Sequence, residues 1–558
     1  MRAVLFRKRW TSMYLFYFLL AALLFFGAQY MSDWNDSYTT RDQTIVLRGA
    51  MALGVALHHM AQKTCAPWHP YQYRVHGLDP FLHVGYLFSS VFLFCSGMGL
   101  YRSLRQKPDY LKGFPRKRIL PIIIAFYLSE ILYTAVRLAM GRRMDAITAI
   151  WYLSGLHMAN PNAWFVVAIV FLYLIFWTAF RRCRREGIAI LSVALFALAY
   201  AALGATVGHQ DNWWMQGEWW YNSIMLFPLG LLFGKYENQI TAFLKKGYLF
   251  WLILSFAATL LLFRQSEWIN NNGWGYYGTG GISRSLMSAG LQWCVATAFT
   301  SCCFLLMMKI RFGNRALSWL GSESLGFYLM HGLFVEFFGY NFMDISKSVI
   351  YIRNLPVYIA VVLACSALAT LLFGRVWRWI TGFAQGIRRI PGKAVLFRFA
   401  LVLLLLCLIP SLPGRNERVR IMNGMVFHLP EHYSRRYSDS RYAVWEYTGS
   451  DRKPGNLILD ADIRDSRARN LSTVKEVLET CEWLMGAELY VNPNGIRMVR
   501  GYAEYSGNLE RRYYIEGTGS VMLMCMIEDE RFYNSEDCEF ILEEVAESVN
   551  INSGHIGI

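Results

Sequence analysis

Arg48, His58 and His59 interrupt the apolar stretch LRGAMALGVALHH, which covers residues 47–59. Polar residues of this kind are costly inside a bilayer and usually mark a functional site there. Arg48 and His59 are eleven residues apart, so a helix brings both to one face, with about 16 Å between them along its axis. His58 leaves the helix about 100° away from His59 and cannot share its role.

The two aligned side chains suit a long ligand with an anionic end and a reactive end. The guanidinium of Arg48 can bind phosphate through paired N–H donors. The imidazole of His59 can accept and return a proton near neutral pH, or carry an acyl group. A thioester cofactor with phosphates at one end and a carbonyl at the other fits this spacing. In the alternative interpretation Arg48 extends to the membrane surface and the histidines bond to a neighbouring helix.

Apolar runs dominate the rest of the chain and indicate a polytopic helical membrane protein. Of the 558 residues, 55% are hydrophobic and 16% are aromatic, and many runs reach the roughly 20 apolar residues that cross a bilayer. The expected segments lie near residues 12–30, 43–60, 84–101, 119–139, 163–180, 188–207, 221–234, 248–263, 286–308, 324–342, 356–373 and 394–411. The predicted fold class is therefore an all-α membrane core of about ten helices with flanking helices, followed by a small soluble domain.

The connections between these segments alternate in composition. Basic connections lie at 101–118, 181–186, 309–315 and 374–389, and connections rich in Trp, Tyr, Asn and Gly lie at 208–220 and 270–281. Lys and Arg collect in cytoplasmic loops, so we expect the basic set inside and the aromatic set outside. The helix with Arg48 and His59 then runs outward, and the last segment leaves the C-terminal domain outside. We therefore predict a multi-pass protein that lies in the cell membrane, of the bacterial cytoplasmic type.

The first segment conflicts with this alternation. The flank MRAVLFRKRW has the basic composition of a cytoplasmic end, yet a spanning helix at 12–30 would then place residue 41 outside. Three explanations stay open. The N-terminus is external despite its charge, the segment lies in the membrane interface, or another predicted span is wrong.

Net charge and sequence pattern both change near residue 415. Residues 1–414 carry 38 Lys and Arg against 15 Asp and Glu, whereas residues 415–558 carry 17 against 24. The basic excess belongs to membrane loops, so no nucleic-acid partner is predicted. The C-terminal part alternates apolar and polar residues in five or so strand-like stretches, with helical spacing at 473–485 and 536–549. We predict an α+β domain here, whose pattern resembles a Mog1/PsbP-like sandwich.

Five motifs follow one another between residues 41 and 375. They are the Arg-Gly…His stretch at 48–59, VFLFCSGMGL at 91–100, PRKRILP at 115–121, AWFVVAIVFLY at 163–173 and GSESLGFYLMH at 321–331. Their order and spacing resemble membrane acyltransferase family 3, the O-antigen acetylase type. Members of that family transfer acyl groups, commonly acetyl from acyl-CoA, to hydroxyl groups of cell-envelope glycans. The third motif departs from the family pattern, because its Arg residues are separated by one Lys rather than by two residues.

The resemblance implies roles for five basic or imidazole side chains. His59 would be the catalytic histidine, acting as a base or as an acyl carrier, and Arg48 its required partner. Arg116, Lys117 and Arg118 would bind the phosphates of CoA. The alternative for the last three is that their charge only fixes the topology of the chain.

A second group of residues is expected to line the path of the substrate. These residues are Trp164, Ser324, Tyr328 and His331. The last three are spaced at i, i+4 and i+7 and share one helix face. The alternative is that they tie helices together and that the tryptophan packs or anchors the interface. Glu130 and Arg137, seven residues apart, could pair across two helical turns in a structural role.

The predicted function is that of an integral membrane O-acyltransferase. It would move an acyl group, expected to be acetyl, from acyl-CoA to a hydroxyl of a cell-envelope or exported glycan. No permanently bound cofactor and no metal site are predicted; acyl-CoA is a donor substrate, and membrane lipid and the glycan are the partners. A transporter or flippase of an envelope precursor is the alternative, since it would also place polar residues within the membrane. A sensor is less well supported, because no soluble output module is expected inside.

The predicted domain boundaries follow from these features. We expect an extra N-terminal hydrophobic helix at 1–40, the acyltransferase membrane core at 41–393, a final membrane anchor at 394–414 and the extracytoplasmic α+β domain at 415–558. The last domain is expected to bind the acceptor or a partner protein.

Overall fold

The structure is a computed structural model that describes most of the membrane region and the elements of the C-terminal domain. The described residues are 2–67, 74–139, 146–155, 157–207, 215, 217–272, 281–339, 351–386, 418–420, 425–429, 433–438, 442–447, 456–460, 474–505, 508–516, 521–526 and 536–551. The predicted anchor near 394–411 lies outside them.

Residues 1–386 form a helical bundle in the part that the structure describes. Its helices are α1 Arg2–Phe25, α2 Arg41–Thr64, α3 Gly85–Gln106, α4 Leu120–Ala139, α5 Ala146–Ser154, α6 Trp164–Arg182, α7 Glu186–Val207, α8 Leu226–Lys246, α9 Tyr248–Asn271, α10 Gly281–Met307, α11 Arg315–Ser322, α12 Ser324–Phe338 and α13 Leu355–Ala384. Within the described residues, eight helices are long and apolar enough to cross a membrane, namely α2, α3, α4 with its preceding turn, α6, α7, α9, α10 and α13. The prediction of a polytopic helical membrane core is confirmed.

The segment between α1 and α2 lies at one end of the bundle, and its contacts show which other connections lie at the same end. Strand β1, Gln29–Tyr30, pairs antiparallel with β2, Ile310–Arg311, in the connection between α10 and α11. Asn35 donates a hydrogen bond to the carbonyl of Met307 over 2.9 Å. We call this end of the bundle, with the connections 107–114 and 308–314, the basic face. We call the end with the connection 74–84 the opposite face.

Helix α1 runs antiparallel to α2. Its last residues lie at the basic face, where Asn314 donates a hydrogen bond to the carbonyl of Leu23 over 2.6 Å. Further back along α1, the Tyr17 hydroxyl donates to the carbonyl of Gly77 over 2.7 Å at the opposite face. Of the three explanations for the first segment, this arrangement agrees with a helix that enters from the face opposite the basic one.

Close contact between α2 and α11 sets the position of Arg48. A Cβ atom on Gly49 would lie 1.9 Å from the carbonyl oxygen of Leu317, and one on Gly321 would lie 1.8 Å from that of Ile45. Only glycine lets two backbones approach this closely. Buried side chains of α2, α3, α6, α8 and α12 continue from this crossing into one apolar core.

The C-terminal domain has the α+β composition predicted for it. Its strands are β3 Arg418–Arg420, β4 Met425–His428, β5 Tyr433–Ser438, β6 Tyr442–Tyr447, β7 Asn456–Asp460, β8 Leu484–Val491, β9 Arg497–Tyr505, β10 Asn508–Ile515, β11 Val521–Met526 and β12 Asn550–Ile551, and its helices are α14 Val474–Thr480 and α15 Glu536–Ser548. Strands β5-β6-β7-β11-β10-β9-β8 form one seven-stranded sheet, with each neighbouring pair antiparallel, and β12-β4-β3 form a second.

Buried side chains lie on both faces of the seven-stranded sheet and alternate along its strands. Leu457 and Tyr513 pack in the cluster that contains Leu542 of α15, whereas Tyr514 packs in the cluster that contains Val477 of α14. Successive side chains of a strand point to opposite faces. The two helices therefore cover different faces. The likeness to a Mog1/PsbP-like sandwich stays a prediction.

Candidate active site

His59 of α2 and His331 of α12 form a direct pair. The Nδ1 atom of His59 lies 2.7 Å from Nε2 of His331, and the two rings stack with their centroids 4.9 Å apart and their planes 4° from parallel. His331 is completely buried, whereas His59 is half-buried. We call these two residues the histidine pair.

The hydrogen bonds around the histidine pair assign a role to each nitrogen. Nδ1 of His331 lies 3.0 Å from the carbonyl oxygen of Phe327, which can only accept, so this nitrogen carries the proton. A neutral imidazole has one N–H, so Nε2 of His331 is an acceptor and Nδ1 of His59 donates to it. This leaves Nε2 of His59 with a free lone pair. The less buried histidine therefore presents the basic nitrogen.

His58 has a different environment from the histidine pair. Its Nδ1 atom lies 2.8 Å from the carbonyl oxygen of Phe81 in the connection at the opposite face. A Cβ atom on Gly85 would lie 2.3 Å from the His58 ring, so the ring is held against the start of α3. The two adjacent histidines face different parts of the protein, as their angular separation predicts.

Arg48 lies half-buried in the bundle, towards the basic face. It makes no hydrogen bond and no ion pair with any residue that the structure describes. Tyr173 of α6, whose hydroxyl lies 2.8 Å from Ser96 Oγ, is close enough for an electrostatic interaction with Arg48. A cation inside a protein normally requires a counter-charge. None of the residues that the structure describes supplies this counter-charge to Arg48.

Arg116, Lys117 and Arg118, which we call the basic cluster, differ in their contacts. Arg116 donates a hydrogen bond to the carbonyl of Gln385 over 2.6 Å, and Gln385 returns one to the carbonyl of Arg116 over 2.9 Å. Arg118 lies 5.9 Å from the ring centroid of Tyr110 and, like Arg48, interacts electrostatically with Tyr173. Arg118 and Arg48 thus both act on Tyr173, whereas Arg116 holds the chain after α13. Lys117 is exposed.

The residues predicted to line the substrate path also differ from one another in their contacts and positions. The Tyr328 hydroxyl donates to the carbonyl of Asn162, which is the interhelical bond that the alternative interpretation expects. Ser324 is the first residue of α12, about 10 Å along the axis from His331 at 1.5 Å per residue. Trp164, 9% exposed, lies with its ring 6.4 Å from that of Trp220. A substrate path along these residues stays a prediction.

Residues 159–162 form a turn that the sequence did not single out, which we call the Asn-Pro-Asn turn. Glu130 accepts hydrogen bonds from the backbone N–H of Ala159 over 2.5 Å and of Asn160 over 3.2 Å. Arg137 donates to the carbonyl of Ala159 over 3.1 Å. Glu130 and Arg137 therefore both bond to this turn, and they are close enough to interact electrostatically with each other. The segment PNAW, in which Asn and Pro precede the Trp-Phe helix, is the only hint of the turn in the sequence.

Comparison with protein families decides the class of this site. The sequence model described as an acyltransferase domain matches residues 41–374, about three fifths of the chain. The chain belongs to membrane acyltransferase family 3. The match covers α2 to about two thirds of α13 and so includes Arg48, the basic cluster and the histidine pair. A search of curated proteins and a search of solved structures each found no match.

Proposed function

We propose that this membrane acyltransferase moves an acetyl group from acetyl-CoA to a hydroxyl of a cell-envelope or exported glycan. The observation that carries the proposal is the histidine pair, in which His59 Nδ1 is held by His331 and His59 Nε2 has a free lone pair. A base held in one orientation by a second group is a recurring arrangement of acyl-transfer sites.

The chemistry assigned to His59 is general base catalysis. Nε2 removes the proton from the acceptor hydroxyl while the oxygen attacks the thioester carbonyl. The C–S bond then breaks, and the CoA thiolate takes the proton back from the imidazolium. His331 supports the positive charge that develops on His59, because its Nε2 accepts the Nδ1–H hydrogen bond throughout.

Arg48 and Arg118 are proposed to hold the phosphates of CoA at the basic face. A phosphate supplies the anion that Arg48 lacks among the described residues, and guanidinium groups match phosphate oxygens. The separation of about 16 Å between Arg48 and His59 along α2 suits an extended thioester arm. The donor would then enter from the cytoplasm.

The predicted sidedness is part of the same proposal. With the basic face in the cytoplasm, the acceptor reaches His59 from outside, across the face that carries the connection 74–84. The C-terminal domain, placed outside, would bind the acceptor glycan or a partner protein close to the membrane. The protein itself would reside in the cytoplasmic membrane of a bacterial cell.

The deciding experiment measures transfer of labelled acetyl. Membranes with the wild type, His59→Ala or His58→Ala are incubated with labelled acetyl-CoA, and envelope fractions are then counted. We expect His59→Ala to lose at least about 100-fold in rate, and His58→Ala to lose much less because its ring faces Phe81. Near-normal labelling by purified, folded His59→Ala protein contradicts the proposal. Acceptor flux without any thioester cleavage would indicate a transporter.

A further inference from the structure

The Asn-Pro-Asn turn is fixed against the same helix that carries His331. Asn160 donates through Nδ2 to Ser129 Oγ over 2.9 Å and to the carbonyl of Leu329 over 3.1 Å. The Tyr328 hydroxyl donates to the carbonyl of Asn162. These bonds hold the turn at two successive residues of α12, within one helical turn of His331.

Most polar groups around this turn are used, but two side chains have no hydrogen-bond partner among the described residues: the buried Tyr133 hydroxyl of α4 and the Asn162 amide. The Glu130 carboxylate, the Asn160 amide and the Asn162 backbone all take part in hydrogen bonds. The side-chain amide of Asn162, which is half-buried, donates to no acceptor among the residues that the structure describes. A rigid turn that leaves the N–H donors of one amide free beside an unpartnered hydroxyl has the form of a site prepared for a ligand.

The free amide points at the backbone next to His331. A Cβ atom on Gly332 would lie 2.2 Å from Nδ2 of Asn162 and 3.0 Å from the Tyr133 hydroxyl. The absence of a side chain at position 332 is thus what allows the amide to approach α12. The amide therefore packs against α12 at the residue that follows His331.

We infer that the Asn162 side-chain amide contacts the substrate and stabilises the oxyanion of the acyl-transfer step. This inference rests on the proposed function. When the acceptor oxygen attacks the thioester carbon, the proton passes to His59 and the electron pair of the C=O bond moves to the carbonyl oxygen. The Asn162 N–H donates to that oxygen until the C–S bond breaks and the thiolate leaves. A neutral donor stabilises the charge without needing a counter-ion of its own.

Substitutions of Asn162 test its role as a donor. In purified protein with acetyl-CoA and the labelled acceptor fraction, Asn162→Ala should lower kcat by about 100- to 1000-fold with little change in KM. Asn162→Asp should lose at least as much, because it keeps the size of the side chain but replaces donors with a negative charge. Asn272→Ala removes an exposed amide whose hydrogen bond among the described residues goes to the carbonyl of Trp268; it is the matched control and should keep wild-type kcat. Wild-type kcat in either Asn162 variant overturns the inference.

Gly332→Ala tests the same contact without removing the amide. The new methyl group must displace Nδ2 of Asn162, whereas alanine favours the helix itself, so the protein should fold with a lower kcat. Combined with Asn162→Ala, it should add less than about threefold to the loss, because both changes act on one contact. Losses that multiply in full would mean that Gly332 acts independently, and that outcome also counts against the inference.

Parallel measurements on His59→Ala separate this inference from the proposed function. If the His59→Ala protein is active, the proposed function is wrong, and the role of Asn162 in stabilising an oxyanion is wrong with it. An inactive His59→Ala protein together with a fully active Asn162→Ala protein leaves the proposed function standing and removes only the role of Asn162.

Discussion

At the scale of single residues, the proposed mechanism depends on two different roles for the nitrogens of His59, one in orientation and one in catalysis. Nδ1 is bound to His331, and Nε2 has no hydrogen-bond partner among the described residues, so in the proposed mechanism the second histidine takes the place of the carboxylate in a Ser-His-Asp triad. Histidine can hold the ring without adding a negative charge inside the membrane. The cost of burying an ion is thereby avoided.

Replacing His331 should disturb the orientation of His59. In His331→Phe, Nδ1–H of His59 loses its acceptor, so we expect kcat to fall by about 10- to 1000-fold with a small change in KM for the donor. His331→Gln keeps an acceptor oxygen and should recover part of this loss. Kinetics in detergent for the three proteins provide the test, and equal activity of His331→Phe and wild type would show that His331 is only a packing residue.

Replacing Arg48 should affect the donor rather than the chemistry. Charge-assisted hydrogen bonds contribute about 1.5–3 kcal/mol, so Arg48→Ala should raise the KM for acetyl-CoA by about 10- to 100-fold. Arg48→Lys should recover little, because one ammonium cannot bind two phosphate oxygens in a fixed plane. A truncated acetyl thioester without phosphates should be used equally well by wild type and Arg48→Ala. A defect of the same size with both donors argues against phosphate binding.

The sequence predicts the relative positions of residues on one helix. It does not predict contacts between residues on two different helices. Helical rotation alone places Arg48 and His59 together and separates His58 from them. It cannot predict that His331 meets His59, since the order of helices along the chain does not say which ones become neighbours. Nor could it predict that Glu130 and Arg137 both bond to a turn brought from elsewhere in the chain.

At the scale of secondary-structure elements, hydropathy predicted the long helices and missed the short ones. Eleven of the twelve expected segments coincide with described helices, because a helix that crosses lipid must be apolar along about 20 residues. Helices α5 and α11, of 9 and 8 residues, are too short to give that signal. The contact between α11 and α2 nevertheless decides where Arg48 lies.

Substitution at this contact should separate the two helices. A Cβ atom at Gly321 would lie 1.8 Å from a backbone oxygen, which cannot move as the end of a side chain can. Gly321→Ala should therefore destabilise the protein by about 1–3 kcal/mol, and activity should fall as Arg48 shifts. Gly290→Ala in α10, where a Cβ atom would meet nothing within 4 Å, is the control and should be neutral or stabilising. Thermal unfolding in detergent measures both, and an unchanged Gly321→Ala protein would contradict the close crossing.

At the scale of the whole molecule, charge and fold divide the chain into two unlike parts. The net charge is +23 for residues 1–414 and −7 for residues 415–558, from the counts given above. The strands of the C-terminal domain could be predicted from alternation and turn residues, whereas their order in the sheet could not. Pairing of β7 with β11 joins segments more than 60 residues apart, and local pattern holds no information on such contacts.

The direction of α1 makes a prediction about the whole protein in its membrane. Since α1 is antiparallel to α2, a cysteine introduced as Ala3→Cys should lie on the same side as one introduced as Asn272→Cys. An impermeant maleimide added to intact cells should label both above the background of the native cysteines. Lys112→Cys, in the connection at the basic face, should be labelled only after lysis. Labelling of Ala3→Cys that also requires lysis would contradict the direction of α1.

The pairing of β1 with β2 also bears on how the protein is made. Gln29 lies opposite Arg311, so the first two helices enter the membrane long before their partner at the basic face has been translated. At about 5–20 residues per second, the ribosome needs roughly 15 to 55 s to make the intervening chain. During that interval the α1–α2 hairpin must persist without this contact. Insertion factors or lipid would have to shield the helix that carries both Arg48 and His59 until α10 and α11 arrive.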